Sequence, residues 1–183
     1  MNYLSDLLEI LSAEKRLRRD LELVQALNLP DWCIAAGYVR NLVWDRLHGF
    51  AGRTPLEDVD VLIYDRSDVT EDAEKKLEER LRRISPQDKW SVKNQARMHI
   101  RNNESEYVSI EDAMKRWPET ATAVGVRLDP EGGLRIIAPH GLEDLFELKL
   151  RPSSFCPDKE MFLGRVRNKR WLTTWPRLTL VDS

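Results

Sequence analysis

The sequence predicts an α/β domain with a central mixed sheet flanked by helices. Three observations carry this reading. Residues 3–27 set leucines at helical spacing in two stripes, Leu4/Leu7/Leu8/Leu11 and Leu17/Leu21/Val24. A short apolar run, Trp32 to Ala36, meets Gly37 and then a second helical pattern, Val39/Leu42/Val43/Leu47. Val59, Val61 and Ile63 alternate with Asp58 and Asp60, which is the period of a half-buried strand.

The chain of 183 residues suits one domain over 1–183, with a helical segment at 1–28 and an extension at 152–183. Ser12 reads as an N-cap between the first two helices, and Pro30 ends that region. Residues 32–36 read as a buried strand and 38–48 as a helix that stops near Gly49. Asp58 to Tyr64 reads as the next strand. Residues 70–84 form a helix on the Ala73/Leu77/Leu81/Ile84 stripe, with Glu71 and Asp72 in its first turn. Residues 89–94 offer a third strand, and Asn94 to His99 reads as a polar loop. Ser109-x-x-Asp112 resembles a capping box for a short helix that Pro118 closes. Val124/Val126/Leu128, Gly132-Gly133 and Leu134/Ile136/Ala138 spell a β-hairpin. Leu145 to Leu150 alternates as a late strand, and the tail after Pro152 reads as helix plus surface segment. Helices are placed on one side of the sheet.

Composition narrows the function. With 29 basic and 31 acidic residues the formal charge is −2, which does not favour nucleic-acid binding through a generally basic surface. The run Arg165 to Arg170 is either a solvated face or part of a local basic cleft. No apolar run is long enough for a membrane span. The N-terminus reads as a helix of the mature protein. Two cysteines, Cys33 and Cys156, form no CxxC pair, so two reduced thiols and a cytoplasmic location are expected.

The residues that carry chemistry lie in two places. Asp58 and Asp60, at i and i+2 on a strand, point to one face with α-carbons about 7 Å apart. Such a pair either holds a hard cation, magnesium or manganese, whose remaining positions are filled by water and phosphates, or is simply two exposed acids on a solvent-facing strand. One element upstream, Gly37 lets the backbone approach a phosphate where a helix N-terminus supplies free N–H groups. Arg40 either adds a charge-assisted contact there or is a surface arginine beside an ordinary tight turn. Further on, Lys93, Asn94, Gln95 and Arg97 are dense in donors. They either meet substrate or fix their own loop.

Ala36-Gly37-Tyr38-Val39-Arg40-Asn41 followed by Asp58-Val59-Asp60 resembles the signature of the polymerase-β nucleotidyltransferase superfamily. In its tRNA CCA-adding branch a Gly-Gly-x-Val-Arg-Asp turn and helix precedes Asp-x-Asp. The segments AAGYVRNLVWDRLHG, PLEDVDVLIYD, WSVKNQARMH, TATAVGVRL and APHGLEDLF look closer to a bacterial nucleotidyltransferase-like family of unassigned reaction. They span roughly 33–146. The resemblance implies a nucleotidyltransferase-type fold and transfer of a nucleotidyl group from a nucleoside triphosphate to an acceptor it does not identify. Asp58 and Asp60 would be catalytic and hold the metal; Gly37, Arg40 and Asn41 would meet the nucleotide. Two positions depart from the CCA-adding pattern: Ala36 replaces the first glycine, and Asn41 the acid after the arginine. The superfamily also places a third carboxylate on a later neighbouring strand, but 89–94 contains none. Glu147 is the candidate. It joins the pair if its strand lies beside theirs, and is otherwise an exposed acid balanced by Lys149. Without a third acid, a nucleotide-binding module or a partner-binding scaffold that keeps the fold becomes the alternative.

Overall fold

A computed structural model describes residues 2–181. Two helices open the chain, α1 (Tyr3–Ser12) and α2 (Lys15–Gln25). Their stripes, Leu7, Leu11, Leu17, Leu21 and Val24, are buried. Ser12 does not cap α2; it is the last residue of α1, and the Glu14 carboxylate accepts from Arg16 N instead.

Strand β1 (Trp32–Ala35) is buried along its whole length because it is the middle of a five-stranded sheet. The order is β3 (Trp90–Asn94), β2 (Val59–Ile63), β1, β4 (Gly125–Leu128), β5 (Leu134–Ile137). Only the β2–β3 pair is parallel, so the sheet is mixed as expected. At the β1–β4 pair a Cβ on Gly125 would come within 2.9 Å of Cys33 Sγ, so the two backbones need a glycine there.

Alternation along the strands divides the core. Ile34, Val59, Val61, Ile63 and Val126 face the main core, shared with α1, α2, α3 (Gly37–His48) and α4 (Glu71–Ile84). Cys33, Ala35 and Leu62 face the other way. There they meet Ile110 and Met114 of α6 (Ile110–Lys115). Helices therefore cover both faces of the sheet, not one. Sequence periodicity reports that a strand has two apolar faces but not what lies on each. Ser109 caps α6 as the capping-box spacing predicts, accepting from Asp112 N at 3.0 Å.

Two further expectations change. Asn94–His99 is not a loop: Asn94 Oδ1 accepts from Ala96 N and starts helix α5 (Gln95–Asn102). The alternation at 145–150 is not a strand of the main sheet. Phe146 N and Glu147 N close helical bonds on Leu142 O and Glu143 O, giving α7 (Glu143–Phe146). Leu148 then takes φ 57°, and only β6 (Lys149–Leu150) is extended. It pairs with β7 (Thr179–Leu180) in a separate two-stranded sheet.

The tail is helical as expected, but it is not only a surface segment. Helix α8 (Lys159–Asn168) and helix α9 (Trp171–Thr174) put Phe162, Val166, Trp171 and Trp175 into the main core. Both cysteines are free: Cys33 is buried and Cys156 half-buried. No helix among the described residues is long and apolar enough to cross a membrane.

Candidate nucleotide site

A cavity of about 270 Å³ opens where β1, α3, β2 and the C-terminal helices meet. Gly37, Arg40, Asn41, Asp58 and Asp60 all line it. The structure thus brings together the two motifs that the sequence singles out.

The β1–α3 turn makes one wall. The left-handed backbone falls on Ala36, φ 56° and ψ −124°, not on Gly37. A side chain rarely adopts this combination, which costs on the order of 1–3 kcal/mol. Ala36 N is held by Val124 O at 2.9 Å, and Ala36 O accepts the first helical bond from Arg40 N. No side chain caps the N-terminus of α3. A Cβ on Gly37 would lie 3.5 Å from Arg40 Nη2 and 4.0 Å from Asn41 Oδ1, an ordinary contact. The glycine is therefore not demanded by its own backbone.

Helix α3 is buried on every side from Tyr38 to Asp45, so its polar residues need partners inside the protein. Arg40 Nε and Nη2 donate to Asn41 Oδ1 at 3.2 and 2.9 Å, and Nη1 donates to Thr122 Oγ1 at 3.2 Å. Its guanidinium lies between Trp44 and Trp171, 4.9 and 4.6 Å from the ring centroids. No described carboxylate forms an ion pair with it. Burial lowers its pKa to about 10, opposed by the more distant charges of Glu119, Asp60 and Glu57. Asn41 offers a neutral oxygen where the CCA-adding pattern has an acid, so the arginine's charge stays available to the cavity. Asp45 braces the other walls: it accepts from Trp175 Nε1 and Thr54 N, both at 2.8 Å.

The carboxylates form the opposite wall. Val59 and Val61 are held in the core, which turns Asp60 to the cavity face, with Asp58 just before the strand. Burial raises the Asp60 pKa to about 6, and the neighbouring negative charge of Asp58 adds to it. A hydrogen bond from Ser91, its partner in register on β3, lowers it, as do Lys169 and Arg40. Among the described residues no three acids, histidines or cysteines gather as a metal-ligand group. The donor set present is two carboxylates, one of them destabilised by the other. It suits a hard cation that completes its shell with water and phosphate oxygens.

The remaining expectations separate. Asn94 is buried and engaged with Asp65 and Asp68 backbone groups, and Arg97 forms a double hydrogen bond with Glu74 at 2.9 and 2.8 Å. Neither reaches the cavity. Lys93 and Gln95 line a neighbouring groove. Glu147 is outside both, bonded to Tyr3 and Lys149. It is the exposed, balanced acid, because its segment joins the small sheet.

Arg165 and Lys169 line the cavity, so the basic run at 165–170 is the local cleft rather than only a solvated face. Arg165 pairs with buried Glu119, and Lys169 with Glu57, which also lines the cavity. A signal existed: Phe162 and Val166 are four apart and buried, so Arg165 and Lys169 fall together on the adjoining stripe.

This architecture is that of a nucleotidyltransferase head domain. A family model described as nucleotidyltransferase matches residues 22–180, and the chain belongs to that family. Among solved structures, a protein described as revealing a CCA-adding enzyme head domain is 32% identical with a TM-score of 0.85; the match covers 98% of this chain and 96% of that one. The Thermotoga maritima CCA-adding enzyme complexed with tRNA is 19% identical, TM-score 0.58, over 98% of this chain and 42% of that one. A CCA-adding enzyme in complex with CTP is 18% identical, TM-score 0.54, over 95% and 48%. At these identities the last two likenesses are of fold, and this chain spans less than half of those enzymes. A search of curated proteins returns no match.

Proposed function

We propose that this chain binds a nucleoside triphosphate in the Gly37–Arg40–Asp58–Asp60 cavity and transfers its nucleotidyl group to an acceptor hydroxyl. The observation that carries this is a cavity that brings charges of both signs together: Arg40, with no ion-pair partner among the described residues, and Asp60, whose pKa is raised by burial and by Asp58. CCA-adding enzymes of this fold have been solved with CTP and with ATP, which supports a nucleotide as the partner.

Asp58 and Asp60 would hold a divalent cation, magnesium or manganese, which supplies charge neutralisation at the phosphates when bound. The uncapped start of α3 and Arg40 would hold the phosphate oxygens. Gly37 would leave room for the phosphate against the backbone. Lys169 and Arg165 would close the cavity from the tail. The acceptor oxygen forms a bond to the α-phosphorus. The bond from that phosphorus to the bridging oxygen of the β-phosphate breaks, and pyrophosphate leaves with the electron pair. The hydroxyl proton passes to the Asp60 carboxylate.

The test is pyrophosphate release from each nucleoside triphosphate with magnesium and a panel of acceptors. Release that Asp60→Asn abolishes supports the proposal. Nucleotide binding without release by any pair favours a binding module, the reading to which the lack of a three-acid group among the described residues points.

A further inference from the structure

A second groove, about 490 Å³, adjoins the first and shares Ala36, Asp60, Thr122 and Arg165 with it. Asp58 lines only the first. Asp60 is therefore the boundary between the two. A hydroxyl presented from the second groove would arrive at the carboxylate that the transfer step uses.

The walls of this groove specify a chemistry. Met98, Trp117, Phe155 and Met161 make much of its surface apolar. Phe155 is a large apolar side chain left 42% exposed. Aromatic rings stack offset or edge-on against such surfaces, and methionine adapts to their edges. The volume is that of a small-molecule site.

Its charges are already balanced. Lys93 lies 3.3 Å from Glu78 and 3.7 Å from Glu74. Arg165 is paired with Glu119, and Arg116 lies 3.6 Å from Asp112 and 4.0 Å from Glu104. A polyanion gains its affinity from cations that lack such partners, and this wall has none to offer. Arg116 instead lies over Tyr107 and Phe155, 5.4 and 5.6 Å from the ring centroids. Its Nε is buried on the Glu104 side, 4.0 Å from that carboxylate, so it is the rest of the guanidinium that lines the groove.

We propose that this groove is the acceptor subsite and that it takes a small, uncharged aromatic alcohol. The proposal rests on the nucleotidyl-transfer reading. The ring packs on Phe155 and Trp117, the groove-lining part of the Arg116 guanidinium meets a polar substituent, and the hydroxyl is delivered to Asp60. The bonds made and broken are those of the transfer step above.

The test uses the full chain with carbon-13 methyl-labelled methionine, first without nucleotide. Tyrosol and benzyl alcohol are titrated, with a short single-stranded oligoribonucleotide as the polyanion. The expected result is that the alcohols shift the Met98 and Met161 methyls and leave buried Met114 unmoved. Phe155→Asp should weaken this binding at least tenfold while the rest of the spectrum stays folded. Alcohols that leave Met98 and Met161 unmoved overturn the proposal, as does RNA that shifts them at lower concentration than either alcohol. The titration is repeated with saturating magnesium and nucleoside triphosphate. Alcohol affinity retained within threefold places the two ligands side by side and supports the proposal. Displacement by nucleotide gives the groove to the nucleobase and overturns it. A chain that binds the alcohols but no nucleotide removes the transfer reading, and with it the name acceptor subsite, while the methyl shifts stand as a separate result.

Discussion

Arg40 and Arg97 both sit largely inside the molecule, and their surroundings differ in kind. Arg97 meets Glu74 through two hydrogen bonds, lies 3.3 Å from Glu71, and has its pKa raised chiefly by Glu74. Glu74 in turn accepts from Asn94 N at 2.7 Å, so α4, β3 and α5 are tied at one point. Arg40 has two neutral oxygen partners and two indoles, and its pKa falls. One arginine is paired with its counter-charge, and the other forms no ion pair among the described residues. In this chain the satisfied cluster is architecture and the unsatisfied one is the candidate site, although both segments are equally polar on paper.

The largest expected effect tests the satisfied cluster. Arg97→Ala leaves the Glu74 side chain, 3% exposed, without its main counter-charge. Breaking a buried pair in this way costs about 3–5 kcal/mol, readable as a fall in urea-unfolding stability. Arg40→Met keeps the packing between Trp44 and Trp171 and strands no carboxylate. Its cost should stay below about 1.5 kcal/mol, while nucleotide affinity falls at least tenfold. If Arg40→Met unfolds as readily as Arg97→Ala, the distinction between the two arginines fails.

Asp60 sharpens the same contrast from the acidic side. A carboxyl raised from 3.8 to about 6 has its charged form disfavoured by on the order of 3 kcal/mol. The folded pKa exceeds the unfolded one, so this penalty is in force above pH 6 and fades as the pH falls towards 4. In metal-free buffer with chelator, Asp60→Asn should therefore be more stable than wild type at pH 8, by roughly 1–3 kcal/mol. The gain should shrink in the acid range. Magnesium with nucleoside triphosphate should raise the melting temperature of wild type and leave Asp60→Asn unmoved. Equal shifts in both would put the cation elsewhere.

The site was legible in the sequence where chemistry coincided with a local period. Asp58 and Asp60 stand out against Val59 and Val61 because strand alternation alone turns them to one side. Gly37 and Arg40 stand at a strand-to-helix junction that apolar spacing reveals. What the sequence hid was partnership. Nothing local to Arg97 shows that Glu74, twenty-three positions earlier, will neutralise it. Nothing in the alternation of 145–150 says that the segment joins β7 rather than β2, so Glu147 was a fair candidate and a wrong one. The two faces of β1 were readable as apolar, but the helix covering Cys33 and Ala35 was set by long-range packing of Ile110 and Met114.

Gly37 gives a smaller effect, confined to binding. A Cβ there meets only Arg40 Nη2 and Asn41 Oδ1 at ordinary distances. Branched bulk would extend into the cavity. Gly37→Val should fold and lose at least tenfold in nucleotide affinity, about 1.4 kcal/mol. Unchanged affinity in a folded Gly37→Val protein would take the turn out of the site.

The smallest effect concerns the residue beside it. Ala36 holds φ 56° and ψ −124°, a conformation in which its Cβ is unwelcome and a glycine is at ease. The CCA-adding pattern has a glycine at this position. Here the turn is imposed by its neighbours: Ala36 N donates to Val124 O, Ala36 O accepts from Arg40 N, and the strand before and the helix after are both buried. Removing the Cβ relieves the strain but gives the unfolded chain more freedom, and the two effects oppose each other. Relief should prevail by about 0.5–1 kcal/mol, because a left-handed alanine costs more than the entropy glycine adds. Ala36→Gly should thus raise the urea midpoint with an unchanged denaturant slope. Nucleotide affinity should hold, since the same N–H groups still open on the cavity. A loss of stability in Ala36→Gly would mean that this turn is relaxed with its methyl group in place. The site's strain would then have to be sought in its charges alone.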